Sequence, residues 1–95
     1  MKTYTIFQIN PINETSRTMM FMPYDIVKKH LTLSLDFYNK VYEGETDGDL
    51  DDIYTQFNIN RPADFKGHSL STSDIVELDG KFFYCDSFGW EEVTL

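Results

Sequence analysis

Cys85 and His68 are the one nucleophile–base pair in this chain that could carry covalent chemistry. A thiolate attacks well only when an imidazole or a cationic neighbour lowers its pKa or takes its proton. Cys85 lies between Tyr84 and Asp86 in an alternating segment, with no helix start behind it to stabilise a thiolate. Such a cysteine reads as a small buried hydrophobe. His68 reads as an anchor for its loop, and His30 as a packing residue at the end of a helix. Two isolated histidines and one cysteine also lack the spacing of a transition-metal site.

Asp47-Gly48-Asp49-Leu50-Asp51-Asp52 begins like a calcium loop, with aspartates at alternate positions. The sixth position of such a loop needs glycine and holds Asp52, while the twelfth needs a bidentate glutamate and holds Asn58. Helix capping accounts for Asp49, Asp51 and Asp52 without a metal. The hydroxyl-rich Ser69-Leu70-Ser71-Thr72-Ser73-Asp74 lacks the glycine-flanked strand-to-helix turn of a serine hydrolase. Its hydroxyls suit local bonds to loop backbone. No P-loop and no glycine-rich dinucleotide fingerprint occurs. The expectation is a non-enzymatic chain with no catalytic residue, no cofactor and no metal. A small enzyme dependent on Cys85 and His68 is the remote alternative.

The acids suggest binding instead. The chain has 95 residues and a net charge of −8. Residues 1–42 carry five Lys/Arg against three acids, whereas residues 43–95 carry three against thirteen. Such a surface repels phosphates and attracts a basic partner, such as a protein that grips DNA or RNA. Direct contact with nucleic acid is not expected. The candidate partner-binding residues are Glu43, Glu45, Asp47, Asp49, Asp51 and Asp52, with Glu77, Asp79, Glu91 and Glu92 as a second group. The first group can spread its charge over roughly 15–20 Å, judged from strand and helix rises. The alternative is a general interaction module that docks through Phe82, Phe83, Tyr84, Phe88 and Trp90. In a hairpin Phe83 faces the core while Phe82 and Tyr84 face the other side, which is an interface only if no helix covers it.

Short strands and helices must position these residues. Thr3–Ile9 alternates, with Tyr4 and Ile6 on one face and Phe7 and Ile9 on the other. Asn10-Pro11 breaks it, and Arg17–Met22 is a second strand or an extended lead-in. Pro23–His30 is a short helix, with Pro23 at its first position and Asp25 in its first turn. Within Leu31–Asn39, LTLSL alternates like a strand while its surroundings are turn-rich, which leaves strand and turn both open; Lys40–Glu45 is a strand. Asp49 caps a second helix over Leu50–Phe57, whose apolar stripe is Leu50, Ile53, Tyr54 and Phe57. After the loop Asn58–Gly67, strands Ser73–Leu78 and Lys81–Asp86 are joined by Asp79-Gly80, the preferred type I′ pair. Ser87–Val93 turns at Gly89 into a short final strand.

With 41% apolar and 16% aromatic residues, residues 1–95 form one α+β domain with a real core. Four or five strands make a small antiparallel sheet, with two short helices packed on one face. Met1-Lys2-Thr3 passes straight into strand pattern, so no secretory leader is expected. No apolar run is long enough to span a membrane. One cysteine permits no internal disulfide, which suits a reducing cytoplasm. An exposed edge strand leaves both a monomer and a homodimer open.

Three stretches carry a family resemblance: TYTIFQI, FMPYDIV and LDDIYTQFNINRPADFKGHSLSTSDIVELDGKFFYCDSFGWEEV. The most specific pieces are Phe57-Asn58-Ile59, Asp64-Phe65-Lys66-Gly67-His68-Ser69-Leu70-Ser71, Ser73-Asp74-Ile75-Val76 and Tyr84-Cys85-Asp86-Ser87-Phe88-Gly89. Together they resemble the YodL-like domain family over nearly the whole chain. The resemblance implies a setting in Gram-positive bacteria and their mobile elements, where larger members carry companion modules. It supplies no activity and no catalytic residue. In that setting an acidic free-standing domain has an economical role as an anti-defence protein, anti-CRISPR or antirestriction. Its carboxylates would occupy the cleft where a host nuclease holds phosphates.

Overall fold

The computed structural model describes residues 2–10, 22–30, 35–59, 62, 64, 65, 67, 70–86 and 89–95. The expected lead-in at 17–21, the segment 31–34, His68 and Phe88 lie outside the described residues, as does the side chain of His30.

The chain runs β1 (Lys2–Ile9), α1 (Tyr24–His30), a short 3-10 turn (Leu35–Phe37), β2 (Tyr38–Thr46), α2 (Leu50–Ile59), β3 (Ile75–Leu78), β4 (Lys81–Asp86) and β5 (Gly89–Val93). The five strands form one sheet in the order β2-β1-β3-β4-β5, with every neighbouring pair antiparallel. The β3–β4 hairpin forms where Asp79-Gly80 required it. Both residues have positive φ, 54° and 85°, the left-handed pair that a type I′ turn demands. Between β1 and β2 the register shifts at Ile6/Phe7, so Val41 is left without a partner as a bulge.

The fold class is the small α+β sheet that the pattern implied, but the helices do not share a face. Ile53 and Phe57 of α2 pack on Tyr4, Ile6, Val76 and Leu78. Val27 of α1 packs with Ile9, Ile75, Tyr84 and Val93. These are alternate residues of the same strands, hence opposite faces. The physical reason is visible in β1: both parities are apolar, so each face needs its own cover. Full burial of Ile53 and Phe57 contributes roughly 1.5–3 kcal/mol each.

A second difference concerns Ser73 and Asp74, expected at the start of a strand. Ser73 has φ 89° and β3 begins only at Ile75. Asp74 is turned into the protein, where its carboxylate accepts bonds from Ser71 N–H and Gln8 Nε2. That local capture competes with strand geometry and wins. At the end of the segment left open between strand and turn, the sheet claims Tyr38 and Asn39 because Ile9 and Gln8 of β1 extend far enough to pair with them.

Candidate interaction surface

The antiparallel register assembles the surface acids. Thr5 of β1 pairs with Glu43 of β2 on one side and with Glu77 of β3 on the other, so the three form a row across the sheet. In the next row Thr3 pairs with Glu45, and the Asp79 N–H donates to the Thr3 carbonyl at 3.0 Å. Carboxylate-bearing residues thus stand about 7 Å apart along the strand and about 10 Å apart across it. Thr3, Thr5, Glu43, Gly44, Glu45 and Glu77 line one shallow hollow of about 460 Å³. It occupies the end of the α1-side face that α1 does not reach, beyond the Phe7–Phe82 ring contact at 6.2 Å. Lys40 is the nearby cation, 3.7 Å from Glu43.

Gly44 has a local reason to sit between the two glutamates of β2. A Cβ there would come within 2.9 Å of the Tyr4 hydroxyl, because the Tyr4 ring lies across it on the other face. The ring continues into Tyr42 and Phe57, at 6.2 and 6.1 Å between centroids.

The remaining candidates sit elsewhere. Asp49 and Asp52 form a reciprocal capping box: Asp49 Oδ1 accepts the Asp52 N–H at 3.2 Å, and Asp52 Oδ2 accepts the Asp49 N–H at 2.9 Å. Asp47 lies in the bend before it, where Thr46 Oγ1 accepts the Gly48 N–H and Lys2 Nζ donates to the Gly48 carbonyl. Asp51 faces the groove beside Trp90. Glu91 and Glu92 lie on β5, the far edge strand, two strands from Glu77. The structure therefore brings Glu43, Glu45 and Glu77 together around Thr3 and Thr5, with Asp79 at the margin. The pairing of β1 with both β2 and β3 does this. Thr3 and Thr5 carry no charge, and only the alternation of TYTIF could have pointed to them.

The opposite end of the same strands is a buried polar network. Asp74 is 1% exposed, and its Oδ2 accepts from Gln8 Nε2 at 3.1 Å and from the Ser71 N–H at 2.9 Å. The Asp74 carbonyl accepts the Cys85 N–H, and the Cys85 carbonyl accepts the Ser73 N–H. Tyr38 Oη donates to the Ser73 carbonyl at 2.6 Å. On either side of Cys85, Tyr84 Oη donates to the Met22 carbonyl at 2.6 Å, and Asp86 Oδ1 accepts the N–H of Tyr24, the first residue of α1. Gly67 presses on this network, since a Cβ there would collide with Gln8 Oε1.

Cys85 belongs to that network. It is 3% exposed, and burial, with Asp74 and Asp86 adding repulsion, pushes its thiol pKa up to about 12. A thiol held neutral in this way lacks its nucleophilic form at ordinary pH. Tyr38 and Tyr84 are also pushed well above the ordinary phenol value, chiefly by burial. The hairpin aromatics are divided: Tyr84 is buried beneath α1 against Tyr24, at 5.2 Å between centroids, so that face is covered. Trp90 packs on the α2 side.

Among the described residues, no group of three or more His, Cys, Asp or Glu is placed to hold a metal ion, and no helix is long and apolar enough to cross a membrane.

Among the described residues, a five-stranded antiparallel sheet with one short helix on each face, and an acidic patch at the end that α1 does not reach, defines a small α+β domain. The chain belongs to the YodL-like domain family, whose model matches residues 3–95. No curated protein and no solved structure matches it.

Proposed function

We propose that this domain is a small, non-catalytic binding protein that occupies the nucleic-acid-binding surface of a basic partner in the cytoplasm. The finer reading is an anti-defence inhibitor of a mobile element, anti-CRISPR or antirestriction, whose target is a host nuclease. The observation that carries it is the row Glu43–Thr5–Glu77, with Glu45 beside it, on an end of the sheet that no described helix covers. Strand pairing fixes the backbone under these side chains. A basic cleft therefore meets a preorganised set of anions rather than flexible tails, and releases its own counterions on contact.

The test is to immobilise the protein, load a host lysate at low salt and elute with duplex DNA. Under this reading, nucleic-acid-binding proteins are retained, are displaced by DNA or by raised salt, and are lost by the triple variant Glu43→Gln/Glu45→Gln/Glu77→Gln. Retention that ignores salt, DNA and the triple variant alike overturns it.

A further inference from the structure

On the other side of the sheet a groove runs between α2 and the start of β5. Two adjoining hollows of about 240 and 270 Å³ share Trp90 and Asp51 as walls. Tyr54 stands perpendicular to Trp90, with ring centroids 6.3 Å apart and an interplanar angle of 86°. Tyr54 is 41% exposed, which is unusual for a residue inside the apolar stripe of a core-facing helix. Leu50 and Leu78 make the second hollow apolar on one side. Asp51, one turn before Tyr54, takes no part in the Asp49–Asp52 capping box. Among the described residues, no lysine or arginine of the chain lines either hollow.

We propose that this groove seats an arginine side chain of a basic protein partner, its guanidinium against Trp90 and Tyr54 and its charge opposite Asp51. The chemistry selects that occupant. A guanidinium is planar, stacks on aromatic faces and offers a fork of donors to a carboxylate. Its aliphatic stem suits the Leu50–Leu78 wall. A neutral apolar occupant would leave Asp51 facing it, and an acidic one would be repelled by a chain of net charge −8. The site goes beyond the sheet-face reading and does not depend on it, because the two lie on opposite faces.

Trp90 is the chain's only tryptophan, so its emission reports on the groove. Titration of the full chain with an oligoarginine peptide at low salt should give a saturable change in that emission. Tyr54→Ala and Asp51→Asn should each raise the midpoint roughly three- to tenfold. Both positions are exposed, and a thermal melt followed by circular dichroism verifies that each variant folds. Glu43→Gln/Glu45→Gln/Glu77→Gln should leave the Trp90 response in place, which separates this site from the sheet face. The proposal is overturned by an unchanged emission while calorimetry shows peptide binding. It is equally overturned if both single variants keep the midpoint within about twofold, or if oligolysine matches oligoarginine.

Discussion

The two ends of β1 carry polar residues of similar kind and use them in opposite ways. At its C-terminal end Gln8 is buried and donates to a buried Asp74, whose other bonds hold the loop before β3. At its N-terminal end Thr5 lies between Glu43 and Glu77 and Thr3 beside Glu45, and these glutamates line a shallow hollow. A buried carboxylate is costly unless hydrogen bonds or an opposite charge satisfy it, so its neighbours are fixed by its needs. Exposed glutamates on a strand cost the fold little. The difference separates scaffold from working surface: acids spent on internal bonds have nothing to offer a partner, and those of the open hollow do.

The buried end is most sensitive at Asp74. Asp74→Ala leaves the Gln8 amide and the Ser71 N–H without this acceptor, and the expected loss is about 3 kcal/mol or more, measured by urea unfolding. Raised pH probes the same end. The Cys85 thiol ionises near 12 in the folded chain but near 9 when exposed, so unfolding releases a proton in between. Stability is fully present below about pH 9 and falls as pH rises, by about 2 kcal/mol at about pH 10.5 from Cys85 alone. The raised phenols of Tyr38 and Tyr84 add in the same direction at higher pH. Urea midpoints across this range check the slope, and Cys85→Ala should flatten its first part. Tyr84→Phe is a smaller cut, removing only the bond to the Met22 carbonyl, and should cost about 1 kcal/mol.

Much of the fold was legible because its signals are local. Asp79-Gly80 specified its turn and Asp49 its helix cap, whereas the expectation of both helices on one face passed over the two apolar parities of β1. The opposite placement of the helices follows from that parity, although a single-face arrangement satisfies the same helix stripes. Longer-range features were not legible. Nothing in Asp74 itself distinguishes a buried carboxylate from a surface one until Gln8, 66 residues earlier, is brought beside it. The acidic patch was equally hidden, because Glu43 and Glu77 belong to one row only through Thr5. Runs of charge in the chain favoured Asp49 and Asp52, which the capping box uses for its own helix.

The acidic end of the sheet tolerates the substitution with the smallest expected effect on stability. Glu43→Gln/Glu45→Gln/Glu77→Gln keeps side-chain length and hydrogen-bonding capacity while removing three charges. Among the described residues, the one ion pair touched is the exposed Lys40–Glu43 contact, worth little in water. Relief of like-charge repulsion across Thr5 works in the other direction. The expected change in unfolding free energy is therefore within about 0.5 kcal/mol, checked by the same urea titration. A loss well beyond that would mean that the open end is held together by its glutamates. The distinction between scaffold and surface would then fail at the place where it matters for binding.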